Sequence, residues 1–214
     1  MKKITAIVSI VSVIILCLIA LRSFYKPNNT ETTVQTINLT SPLPSNTGTT
    51  TLSILFPPVT NFKERVTKKP FGIYITPQNS PIQPERFTGY HTGADAEYQD
   101  VTTDVPVYAA ADGTIKLART ASGYGGVMIE EIQLNGSTHS VLYGHIRPSS
   151  LPKIGQIVTR GEQIGLLGTG YSQETDGERR HLHFAVLADN RMDLLGYVQT
   201  KTELSGWIDP LGFF

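Results

Sequence analysis

From Leu52 onward the sequence advances in short apolar runs, each broken within a few residues by glycine, proline or asparagine, and this cadence limits the fold more than any other feature. The runs are Leu52 to Phe56, Phe71 to Ile75, Pro106 to Ala110, Gly113 to Leu117, Gly126 to Leu134, Ser137 to His145, Gln163 to Leu167 and His181 to Leu187. They have the length and branched content of strands, and no sustained helical period accompanies them. Asp112-Gly113 and Asn135-Gly136 supply the turn residues that tight hairpins need, the second linking Val127-Met128-Ile129 to Val141-Leu142-Tyr143. An all-β domain of antiparallel strands over residues 52–214 follows. Val105 to Ile115 and Ile154 to Leu167 resemble each other loosely, as the halves of a pseudo-repeated sandwich would.

The chain ahead of this domain has a different character. Ile4 to Leu21 is apolar except for Thr5, Ser9, Ser12 and Cys17, and Lys2-Lys3 precede it. As a helix it spans about 27 Å at ~1.5 Å per residue, close to a hydrocarbon core of roughly 30 Å. Leu18-Ile19-Ala20-Leu21-Arg22 fits a signal-peptidase site badly, so residues 1–26 read as an uncleaved, single-pass transmembrane helix. The alternative is a cleaved signal that releases a secreted domain. Leu16 stands where a lipoprotein would have a small residue before its cysteine. Residues 27–51 are mostly Thr, Asn, Ser and Pro, too polar to offset chain entropy, and read as a disordered linker. A tether of about 25 such residues has an end-to-end distance near 28 Å. The folded domain is therefore expected outside the cytoplasmic membrane.

Charge and cysteine content narrow the partners. Lys2, Lys3, Arg22 and Lys26 take four of the 18 basic side chains, leaving 14 against 18 acidic ones, a balance that argues against nucleic acid. Cys17 is the single cysteine, so the chain forms no internal disulfide.

Chemistry concentrates in two segments. In His181-Leu182-His183 two imidazoles share one face of a strand while Leu182 faces away. In His91-Thr92-Gly93-Ala94-Asp95 a histidine and a carboxylate are four apart, and either a helical turn or a bend at the glycine brings them to one point. Nitrogen, nitrogen and oxygen donors suit zinc. A catalytic zinc keeps three protein ligands and one open position, and the candidate set is His91, Asp95 and His183. No His-Glu-x-x-His run supplies a glutamate base, so proton transfer falls to the spare histidines: His181, on the face of His183, and His145, which closes Tyr143-Gly144-His145. His139 reads as an exposed surface residue beside a turn. Gly123-Tyr124-Gly125-Gly126 lacks the lysine and helix of a phosphate loop and reads as a tight β-turn. Tyr90, Tyr124 and Tyr143 are left unassigned between hydrogen bonds to substrate or an oxyanion and the half-buried packing that is frequent for tyrosines in sheets. Trp207-Ile208-Asp209-Pro210 and Phe213-Phe214 read as caps on the core edge.

With Gly89-Tyr90-His91-Thr92-Gly93-Ala94-Asp95, Val105-Pro106-Val107-Tyr108-Ala109-Ala110-Ala111-Asp112-Gly113, Gly123-Tyr124-Gly125-Gly126, Tyr143-Gly144-His145 and His181-Leu182-His183-Phe184 in this order, the chain resembles the lysostaphin-type, LytM-like zinc endopeptidases, which cut peptide cross-links in bacterial peptidoglycan. The resemblance covers residues from about 85 to 190. It implies an antiparallel β-sandwich of the duplicated-hybrid-motif type with a groove over one zinc ion. It implies His91, Asp95 and His183 as the metal ligands, and His145 and His181 as the catalytic pair that handles a proton and steadies the oxyanion. It implies peptidoglycan as the partner, with glycine bridges and direct D-amino-acid cross-links both open as the scissile bond. A non-catalytic protein of the same fold, binding the wall or activating another hydrolase, is the alternative. A phosphocarrier with paired histidines is a third reading, opposed by the His-x-x-x-Asp spacing and the apolar N-terminus.

One segment departs from the pattern. Many relatives enter His-x-His through a short Ser-Thr-Gly-Pro-like turn, where this chain has Ser172-Gln173-Glu174-Thr175-Asp176-Gly177-Glu178-Arg179-Arg180. Charged loops are usually solvated, and this one is expected to be so, with a substrate contact by Arg179 or Arg180 as the alternative. Phe71 to Gln83 is placed to fold over the groove.

Overall fold

The computed structural model describes residues 55–214; the expected anchor at 1–26 and linker at 27–51 lie outside these residues, as do Leu52 to Ile54. Among the described residues no helix is long and apolar enough to cross a membrane.

The described residues are all-β apart from single helical turns such as Phe62–Arg65 and Lys201–Leu204, and their strand pairs are antiparallel. The centre is the long hairpin of β6 (Gly125–Leu134) and β7 (Ser137–Ile146). Asn135 and Gly136 close it with φ of 52° and 81°, the left-handed pair of a two-residue turn that matches strand twist. Around it a seven-stranded sheet is ordered β12-β10-β7-β6-β5-β8, with β5 at Gly113–Ala121, β8 at Ile157–Val158, β10 at His181–Leu187 and β12 at Trp207–Ile208. A further strand, β3 (Ala94–Glu97), also pairs with β10. A three-stranded sheet joins β1 (Tyr74–Ile75), β2 (Gly89–His91) and β11 (Tyr197–Val198), and a two-stranded one joins β4 (Pro106–Tyr108) to β9 (Gln163–Leu166).

Alternation along the central strands explains why both faces of the large sheet are covered. Met128, Tyr143, Leu182, Phe184 and Val186 turn to one face and pack with Val107 and Ile164 of the two-stranded sheet. Val127, Ile129, Leu142, Ala185 and Leu187 turn to the other, where Val198 of the three-stranded sheet meets them. Every residue of β10 is buried as a result. Phe214 lies against Phe62 and Phe184, with ring centroids 5.0 and 6.2 Å apart, and Trp207 is buried under Arg191, so the C-terminal aromatics do cap the core.

Three expectations need correction. Leu55 and Phe56 are not in a strand: Leu55 is a buried core residue, and Phe56 makes a backbone bond to the Ala110 carbonyl at 2.7 Å. Asp112-Gly113 does not close a hairpin, because β4 pairs with β9 while β5 pairs with β6 and β8. Asp112 instead accepts the Arg160 N–H at 2.8 Å, which ties two loops. Phe71 to Ile75 contributes only two strand residues, since Gly72 turns the chain at φ 75°. The loosely similar stretches meet each other, one supplying β4 and the start of β5, the other β8 and β9.

Candidate metal centre and active site

Register brings the site together. β10 lies between β3 and β7, and His183 is directly opposite Asp95 on one side and Gly144 on the other. Opposed residues share a face, so Asp95 arrives beside His183, and by the same rule Glu97 arrives opposite His181. His91 ends β2 in the three-stranded sheet, and Thr92-Gly93 carries the chain across to β3. Gly93 is required there: a Cβ would lie 2.6 Å from the Phe184 carbonyl oxygen and 2.9 Å from the His183 ring.

His91 Nε2 lies 3.0 Å from His183 Nδ1 and 3.2 Å from Asp95 Oδ1, and the last two are 3.0 Å apart. All three residues are buried. His91 Nδ1 donates to the Pro70 carbonyl at 3.1 Å, which leaves Nε2 with its lone pair. Three donor atoms of this kind crowd one buried point. A tetrahedral zinc with bonds of about 2.0–2.1 Å holds its ligand atoms roughly 3.3 Å apart, so spacing and donor chemistry both fit that ion.

The protonation states agree. Burial raises the Asp95 carboxyl, but the His91 and His181 charges and hydrogen bonds from His183 and His91 hold it well below the usual carboxylate range. Burial lowers His183 and, with the Arg179 charge, His181. His145 is pushed down to about 3, chiefly by burial. An ionised Asp95 beside His183 and His181, whose charged forms burial disfavours, suits the binding of a cation.

His145 reaches the site by a bulge. Strict alternation would send it to the face of Tyr143, but the β6–β7 register slips between Gly126 and Val127 and His145 takes φ 63°. Its ring then lies 4.1 Å from that of His181. His181 Nδ1 donates to the Arg179 carbonyl at 2.8 Å, leaving Nε2 bare, 3.4 Å from Asp95 Oδ2. His145, His181, His183 and Asp95 line a cavity of about 290 Å³ together with Tyr124 and Tyr197. Tyr124 packs over Gly144, where a Cβ would come within 2.5 Å of its ring, while Tyr143 points to the opposite face. Tyr90 packs edge-on against Tyr74. His139, expected to be exposed, is half-buried and bonds the Leu187 carbonyl at 2.9 Å; it does not line the cavity.

The solvated reading of the charged loop fails. Arg179 is 2 % exposed; its Nη2 donates to Asp95 Oδ2 at 2.8 Å, and Nε and Nη2 bind both oxygens of Glu97. Asp176 accepts from the Gly123 N–H and from Arg86, and the Arg180 guanidinium donates to the Val101 and Thr103 carbonyls. Phe71 to Gln83 does not cover the groove either, since none of its residues lines the cavity. Lys69, buried against Glu85 at 2.5 Å and the Tyr197 hydroxyl at 3.1 Å, forms a wall that sequence reasoning missed. A lone lysine carries no motif that would have flagged it.

The model of Peptidase family M23 matches residues 89–194, a span that holds His91, Asp95, His145, His181 and His183. Similar solved structures include Csd3 of Helicobacter pylori, with 28% identity over 69% of this chain and 35% of that one, at TM-score 0.43. Lysostaphin of Staphylococcus simulans shares 25% identity over 73% of this chain and 52% of that one, at TM-score 0.44. A zinc-containing peptidase of Vibrio cholerae shares 28% identity over 58% and 35%, at TM-score 0.39. The chain thus spans about a third of the Csd3 chain's length. No curated protein matches the sequence. With the matched span carrying the whole site, the chain belongs to peptidase family M23, the lysostaphin-type group.

Proposed function

We propose that the chain is a zinc-dependent endopeptidase that hydrolyses peptide cross-links of bacterial peptidoglycan, tethered to the cytoplasmic membrane by residues 1–26 with its catalytic domain outside. The observation that carries the reading is the convergence of His91 Nε2, Asp95 Oδ1 and His183 Nδ1 beside the imidazoles of His145 and His181, whose rings lie 4.1 Å apart. Membership of family M23 supports the reaction class. The fold is read as the duplicated-hybrid-motif sandwich, which the pairing of the two similar stretches supports.

His91, Asp95 and His183 would hold a zinc ion, which would supply Lewis acidity toward a water and the scissile carbonyl. His181, held by the Arg179 carbonyl with Nε2 bare, accepts the proton of the attacking water and passes it to the leaving amine. His145 is kept neutral by burial and offers an N–H to the developing oxyanion.

In His183→Ala, bound zinc and hydrolysis should both be lost. In His145→Ala, one zinc per chain should remain while turnover falls by roughly 10²–10⁴-fold. Full activity in either variant would sink the assignment. Mass analysis of fragments released from peptidoglycans of different cross-link types identifies the bond, and purified protein without stoichiometric zinc would favour the non-catalytic alternative.

A further inference from the structure

We propose that Arg179 is the positioning residue of this centre: one residue fixes the metal-binding oxygen of Asp95 and the tautomer of His181. The inference rests on the zinc-peptidase reading above. β3 presents Asp95 and Glu97 two residues apart on one face, and β10 presents His183 and His181 opposite them. Arg179, just ahead of β10, closes this square. Its Nη2 is shared between Asp95 Oδ2 at 2.8 Å and Glu97 Oε1 at 2.7 Å, while Nε holds both Glu97 oxygens at 3.0 and 2.9 Å.

The two oxygens of a carboxylate are equivalent, and either or both can face a cation. With Oδ2 tied to Arg179, Oδ1 alone faces His91 and His183. The same residue's carbonyl accepts the Nδ1–H of His181, so side chain and backbone act on two different members of the site. Glu97 completes the device. It balances the guanidinium and clamps it against rotation, the job that outer partners of metal ligands perform. A buried ion pair is weak grounds for stability, since apolar packing serves as well, so the geometry around Asp95 is the better account of why a charge is kept here.

The test uses the full-length protein loaded with cobalt(II), whose visible absorption reports coordination number without substrate. Two variants are compared with the parent: Arg179→Lys, which keeps the charge but not the fork, and Arg179→Met combined with Glu97→Gln, which removes the charge and its balance together. The expected result is an unchanged circular dichroism spectrum, a weakened and shifted cobalt band as Asp95 offers both oxygens, and kcat reduced about 10–100-fold with KM nearly constant. A folded variant with the parent's cobalt spectrum and kcat overturns the proposal, and so does a rise in KM at constant kcat, which would make Arg179 a substrate contact. Loss of fold in both variants would assign Arg179 to stability and overturn it too. If the parent itself takes up no cobalt, the metal reading falls and this inference with it.

Discussion

Glu130 lies on the face of the central sheet away from the metal centre, fully buried, where its Oε2 accepts from the Tyr143 hydroxyl and from the Ala110 N–H at 3.2 Å. Burial pushes its carboxyl up to about 7, against those hydrogen bonds. The native chain therefore keeps the proton up to about pH 7, whereas the unfolded chain releases it near 4.5. Its contribution is complete below 4.5 and is lost as pH rises through 7, a swing of at most about 3.5 kcal/mol at ~1.4 kcal/mol per unit. Glu130→Gln should flatten the pH dependence of stability across that window, read from urea unfolding at pH 5 and pH 8; an undiminished slope counts against it. Nothing in Glu130-Glu131 announces which carboxylate is buried. Arg179 was hidden for a related reason, because the carboxylates that bury it lie more than eighty positions away. His181 and His183 were legible as a pair because their spacing matches strand alternation, while the His91-to-Asp95 spacing left a helical turn and a bend both open.

Among the elements, the long β6–β7 hairpin could be read from its runs and from Asn135-Gly136, whose conformational demand is local. β2, β3, β11 and β12 could not, since two to four residues give no alternation to detect and such strands exist only through their partners. The bulge at His145 is a similar case. A left-handed φ of 63° on a residue with a Cβ costs about 1–2 kcal/mol, sustained by the surrounding pairing. Chemical denaturation should accordingly find His145→Gly more stable than His145→Ala by about 1 kcal/mol, the reverse of the order in a regular strand. Equal stability of the two would mean that no strain is held there.

At the scale of the whole domain, the His91-to-Asp95 spacing was compatible with a helical turn, and only the fold reveals that the chain changes sheet between them. One ligand belongs to the three-stranded sheet and two to the seven-stranded one. A cation held by all three is a clasp between sheets, and ligand binding to the folded state alone adds about 2.7 kcal/mol at a hundredfold excess over Kd. Calorimetry of the parent with and without a chelator should show a lower Tm in the chelated sample, and His183→Ala should show no such difference; a parent Tm indifferent to the chelator would mean that the sheets hold without the ion. Proteases act on the opened fraction of a protein population. Copies that fail to acquire metal would then be the ones removed, and zinc scarcity would be felt as fewer molecules rather than as idle ones.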